Sequence, residues 1–73
     1  MSQHRFVVCV DNCGYEASLE LRKLYERLED ATAARLDQWR IVDESGEDYL
    51  YPAALFEAME VSPLLEEKLL RAA

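Results

Sequence analysis

Arg40-Ile41-Val42-Asp43-Glu44-Ser45-Gly46-Glu47-Asp48-Tyr49-Leu50-Tyr51-Pro52 decides the fold. Trp39, Ile41 and Val42 are aromatic or β-branched and suit a pleated, half-buried surface. Tyr49, Leu50 and Tyr51 form a second run of the same kind. Between the two runs Gly46 can adopt positive φ at little steric cost, which makes it the pivot of a hairpin loop. Alternation puts Trp39 and Ile41 on one face of the first strand. It puts Tyr49 and Tyr51 together on the second, with Leu50 opposite. Pro52 has no N–H for a ladder and ends that strand. The acids of the loop, Asp43, Glu44, Glu47 and Asp48, lack calcium-loop spacing, and the expectation is a solvated turn without metal.

The remaining chain bounds the class of protein. Seventy-three residues make one small domain with one modest core. The formal charge is −7, and the longest basic run is Arg22-Lys23. Nucleic-acid backbones are held by basic patches that release counterions, so DNA and RNA are excluded as expected partners. The same charge opposes docking on anionic membranes and favours a basic protein partner. No apolar run is long enough to span a bilayer, and no secretory leader is recognisable, so the expected compartment is the cytoplasm.

Upstream of the hairpin, Phe6–Val10 has the composition of a buried strand, closed by a turn at Asn12 and Gly14. The next segment is ambiguous. Ala17, Leu21, Leu24, Tyr25 and Leu28 recur with helical period, and taken alone predict a helix over about 18–29. The competing assignment is a loop through Glu20 followed by a strand, Lys23–Leu28. Asp30 is a suitable N-cap for a turn or two of helix containing Ala31, Ala33, Ala34 and Leu36. Beyond Pro52, Ala53–Phe56 is expected to make one helical turn and Glu57–Val61 a closing strand. Ser62-Pro63 then opens a C-terminal helix, with serine as cap and proline at the first helical position. Its stripe of Leu64, Leu65, Leu69 and Ala72 must dock on its own domain or on a partner, because so short a helix is not stable alone.

Chemistry is sparse. The serines lack the context of a nucleophile elbow. The two glycines make no phosphate loop. The acidic pairs reflect composition, which does not make a catalytic pair. The expectation is a protein that is not an enzyme and needs no cofactor. Cys9 and Cys13, with His4 as the only histidine, fall one ligand short of a closed structural metal site. A metal-binding protein using Cys9 and Cys13 remains an alternative.

The Ile41–Pro52 run resembles the signature of a family of small uncharacterised bacterial proteins. Asp11-Asn12, the run from Gly14 to Leu21, Lys23 and Tyr25 belong to the same resemblance, which covers about half the chain and implies no known activity. The order of elements also resembles an SH3-like barrel: a first strand, a long loop, three strands, a helical turn and a closing strand. That resemblance implies strands Phe6–Val10, Lys23–Leu28, Trp39–Asp43, Asp48–Tyr51 and Glu57–Val61. Peptide-binding SH3 domains carry a tyrosine where this chain offers Leu55 and Phe56, so proline-rich ligands are not implied. The expected fold is therefore mainly β: a five-stranded SH3-like barrel at 1–61 with a short C-terminal helix at 62–73. The alternative is an α+β fold, with the 18–29 helix packed on a small antiparallel sheet. The expected function is a non-catalytic protein–protein interaction module or regulator. Its candidate contacts are Trp39, Tyr49, Tyr51 and Phe56. The other possibility is a structural homodimer built on the C-terminal stripe.

Overall fold

Every backbone group that a strand of this chain buries needs a partner, and five antiparallel strands supply one another. A computed structural model describes residues 5–71. Its strands are β1 (Phe6–Cys9), β2 (Leu24–Leu28), β3 (Gln38–Val42), β4 (Asp48–Pro52) and β5 (Phe56–Met59). They form one sheet in the order β4-β3-β2-β1-β5. Its edge strands, β4 and β5, are not paired with one another, so the hydrogen-bond ladder is open. Two short helices, α1 (Ala31–Arg35) and α2 (Pro63–Arg71), and a 3-10 turn (Ala53–Leu55) complete the fold. No helix among the described residues is long and apolar enough to cross a membrane.

The hairpin forms as its sequence predicts. Trp39 lies opposite Tyr51 and Ile41 opposite Tyr49. Gly46 takes φ +87°, and its N–H donates to the Asp43 carbonyl at 3.0 Å. Val7, Cys9, Leu19, Tyr25, Ile41, Tyr51, Leu55 and Phe56 make the core, with Trp39 packed against it.

The helical period over 18–29 misleads. Leu24–Leu28 is strand β2, paired with β1 on one side and β3 on the other. The expected helical stripe left Leu19 out and counted Leu21 in. In the fold Leu19 is fully buried and Leu21 is 45% exposed. A central strand gains ladder bonds on both edges, and this outweighs the helix propensity of Glu, Arg and Leu. Arg22, at φ +63°, turns the chain into the strand, and its N–H donates to the Cys9 carbonyl at 2.7 Å.

Phe6, Leu28 and Asp48 bound their strands as expected, and the other strand ends shift by one or two residues. The largest change is β5, which begins at Phe56 and stops at Met59 instead of spanning Glu57–Val61. Phe56 is a core side chain and follows the 3-10 turn without a spacer. The helix starts behave as predicted. Asp30 Oδ1 accepts from Ala33 N–H at 3.0 Å. Ser62 Oγ accepts from Leu65 N–H at 3.1 Å. Helix α2 buries none of its residues. Leu69 and Leu70 face Phe6 and Leu24 across a depression of about 500 Å³. Leu64 remains 62% exposed. Ala72, the last residue of the expected stripe, and His4 lie outside the described residues.

Candidate functional site

The 14-residue connection from Val10 to Lys23 would be free to wander if only its ends were fixed. It is instead tied to the acidic turn between β3 and β4. Leu19 enters the core, and the Glu44 N–H donates to the Ser18 carbonyl at 3.1 Å. The Tyr25 hydroxyl accepts from the Glu20 N–H at 2.7 Å and donates to Glu44 Oε2 at 2.5 Å. Lys23 Nζ reaches the same oxygen at 2.6 Å. Asn12 Nδ2 donates to the Leu19 carbonyl at 2.9 Å.

The turn is therefore only partly the solvated loop that its composition predicts. Asp43 is 7% exposed. Its Oδ1 accepts from Ser45 N–H at 2.9 Å and Ser45 Oγ at 2.6 Å, and its Oδ2 accepts from the Tyr51 hydroxyl at 2.6 Å. Burial works against the charge on Asp43, but these donors outweigh it and hold the carboxyl below its ordinary range. Glu44 is held low as well, first by Lys23 and then by Tyr25. The phenols respond in the opposite sense. Tyr25 is pushed up by burial and by its bond to Glu44, and Tyr51 by burial and by its bond to Asp43. At neutral pH both acids are charged and both phenols are protonated donors.

The four candidate contacts do not share one surface. Phe56 and Tyr51 are buried. Trp39 is half-buried, stacked on Phe56 at a centroid distance of 6.2 Å, with the Arg27 guanidinium 4.3 Å above its ring. Tyr49 alone is open to solvent, at 49% exposure, and its hydroxyl donates to Glu47 Oε1 at 2.9 Å. That bond raises the Tyr49 phenol above its ordinary value.

Residues that the sequence did not single out complete the surface. A shallow depression of about 460 Å³ runs between the long loop and β4, lined by Tyr15, Ser18, Asp43, Ser45 and the three consecutive strand residues 49–51. Tyr15 meets Tyr51 edge to face at 5.2 Å. Successive strand residues point to opposite faces, so a hollow lined by three in a row opens on the strand's edge. Tyr15 had a usable signal: it is an aromatic in a loop flanked by Gly14 and Glu16, where no strand or helix pattern claims it.

Charge around the depression is one-sided. Among the described residues its lining includes the Asp43 carboxylate and no lysine or arginine. Five of the chain's fifteen acidic residues, Glu26, Asp30, Glu44, Asp48 and Glu67, make ion pairs among the described residues, which leaves most of the negative charge facing water. The cysteines stand apart from this surface. Both are free thiols; Cys9 is in the core and Cys13 is exposed. Burial raises the Cys9 thiol above its ordinary value. No group of three or more metal-ligating side chains converges among the described residues. Comparisons with protein-family models, with curated proteins and with solved structures gave no match.

Proposed function

We propose that this chain is a non-catalytic module that binds another protein through the depression between its long loop and β4. The observation that carries the proposal is the exposure of Tyr49, Leu50 and Tyr15 around one hollow lined by no cation among the described residues. Tyrosines give contact area at low entropic cost, and they bridge an apolar floor and a wet rim. Support for a non-catalytic role comes from the perturbed groups themselves. The oxygens of Asp43 and the hydroxyls of Tyr25 and Tyr51 are occupied by internal hydrogen bonds. The work of these groups is to hold the loop. The strand order and the 3-10 turn before β5 support an SH3-like barrel as the frame, and the Ile41–Pro52 run would mark its bacterial family. An acidic interaction domain of this kind fits a cytoplasmic protein.

The test is capture on immobilised protein, with Tyr49→Ala as the matched variant and an unrelated domain of equal charge as control. A partner held by the native chain and released by Tyr49→Ala supports the proposal. Equal retention by all three refutes it.

A homodimer is the second reading, favoured by Leu64 and Leu65, which α2 leaves exposed. Light scattering on the full chain and on a truncation after Ser62 tests it. A mass that is monomeric in both refutes it.

A further inference from the structure

The hydrogen-bond register of β4 shows which of its backbone groups face outward. Residues opposite one another on antiparallel strands alternate between pairs that exchange both hydrogen bonds and pairs that exchange none. At one end of the hairpin the Asp43 N–H donates to the Glu47 carbonyl at 3.0 Å; at the other the Ala53 N–H donates to the Asp37 carbonyl at 2.9 Å. Counting inward by twos from either end gives the same answer. Tyr49 and Tyr51 direct their N–H and C=O groups to β3, while Asp48, Leu50 and Pro52 direct theirs away from it. Pro52 fits this parity, because the N–H it lacks would have pointed outward. β4 is the last strand of the sheet on that side. Outside the strand ladder, no backbone hydrogen bond among the described residues reaches the N–H or C=O of Asp48 or Leu50.

We propose that the Asp48–Leu50 edge of β4 accepts an extended, lysine- or arginine-bearing segment of another protein as a sixth strand, seated in the depression beside Tyr15. This rests on the protein-binding reading above and names the kind of partner. Strand addition is an established mode of peptide recognition, in which main-chain bonds give affinity and alternate side chains give specificity. Here the added segment is short, bounded by the Gly46 turn and by Pro52. Its residues opposite Tyr49 and Tyr51 share the tyrosine face and are apolar. Its basic residue lies next to Glu47, which no cation among the described residues neutralises, because Asp48 is already paired with Arg40 at 3.0 Å.

Charge selects this occupant over a second copy of the chain. Two β4 edges laid antiparallel about Leu50 would set each Asp48 opposite Pro52 of the other copy and bring no new cation to either acidic turn, on molecules of formal charge −7 each. Repulsion between two such acidic molecules opposes their association, whereas a cationic segment is drawn to either one. The acid and the proline that discourage self-pairing still admit a cationic strand.

The test is selection of random linear peptides on the full chain, followed by amide hydrogen exchange and by counter-selection on Leu50→Pro. That substitution deletes an outward N–H and leaves the β3 ladder intact. The expected result is a basic, alternating consensus that slows exchange at Asp48 and Leu50 and weakens about tenfold or more in Leu50→Pro. Exchange protection in the native chain serves as the readout if Leu50→Pro does not fold. Peptides that enrich but protect other amides overturn the edge and leave the binding reading standing. Protection at Asp48 and Leu50 that grows with protein concentration alone assigns the edge to a second copy and overturns the proposal. No enrichment overturns both readings.

Discussion

Tyr51→Phe isolates the bond that ties β4 to the acidic turn. The substitution removes one hydroxyl and keeps the ring, with its edge-on contacts to Tyr15 at 5.2 Å and Phe56 at 6.3 Å. Asp43 keeps both Ser45 donors on Oδ1 and loses the only side-chain donor on Oδ2 among the described residues. A hydrogen bond to a buried charged acceptor is worth about 1.5–3 kcal/mol. A domain of this length has a total stability of about 4–11 kcal/mol, so the loss is a large share. With a urea m-value of about 1 kcal/mol per M, the unfolding midpoint falls by about 1.5 M or more at neutral pH, with m unchanged. Tyr49→Phe is the control. Its hydroxyl bond to Glu47 is exposed, and the midpoint stays where it is. The pH dependence is a second readout. Asp43 is depressed in the folded state, so its contribution is complete above its unfolded value of about 3.9 and is lost as pH falls through the lower folded value. Glu44 carries the same sign. The gap between native chain and Tyr51→Phe therefore narrows on the acid side of the carboxylate range. A midpoint drop below about 0.5 M at neutral pH, or a gap that does not change with acid, refutes the assignment of Asp43 as a charged buried acceptor.

Three further outcomes follow from packing and backbone geometry. Leu19→Ala empties a fully buried site and costs about 2–5 kcal/mol in chemical denaturation; a smaller cost would show that the long loop is not anchored in the core. Gly46→Ala meets no atom within 4 Å but must hold φ +87°, so it costs about 1 kcal/mol through the backbone alone. A neutral effect would mean that the turn relaxes to another geometry. Under native conditions Cys13 reacts with a thiol reagent at once and Cys9 only after unfolding, so the folded chain titrates as one fast thiol; two fast thiols would contradict the burial of Cys9.

The hairpin was legible in the sequence because three local signals agree there: β-branched and aromatic runs, a glycine at the pivot and a proline at the end. The same holds at Asp30 and Ser62, where a capping side chain and its helix are neighbours in the chain. Residues 18–29 were not legible by period alone. Whether Leu21 or Leu19 is buried depends on β1 and β3, and β3 comes later in the chain than the pattern being read. The candidate surface was half legible. Tyr49 was in view, but Tyr51 on the same face and Phe56 are buried, because alternation fixes which residues share a face and not how far along it the core extends. Tyr15, Ser18 and Ser45 were invisible as partners of β4. Contacts far apart in sequence bring that loop to the hairpin, among them the bond from Glu44 N–H to the Ser18 carbonyl across 26 residues of chain and the Lys23–Glu44 ion pair.

The acidic turn carries two kinds of charge with opposite roles. Asp43 and Glu44 are consumed internally: each accepts a tyrosine hydroxyl, and each is held ionised by donors that come from the fold. Glu47 and Asp48 face outward beside the open edge of β4, with Asp48 balanced by Arg40 at 3.0 Å and Glu47 by no cation among the described residues. A sequence signature read as one acidic motif thus contains a structural half and a half exposed to a partner. Neutralising the first pair should change stability and leave any ligand preference intact, because the fold either persists with its edge or is lost altogether. Neutralising Glu47 should do the reverse, since its carboxylate supports no backbone group and acts on whatever approaches Tyr49. Comparing Glu44→Gln with Glu47→Gln, by urea midpoint and by binding of the selected basic peptides at low and high salt, separates the two roles. Equal effects of both substitutions on both readouts would mean that the turn is one undivided electrostatic unit and that the division drawn from the hydrogen bonds is wrong.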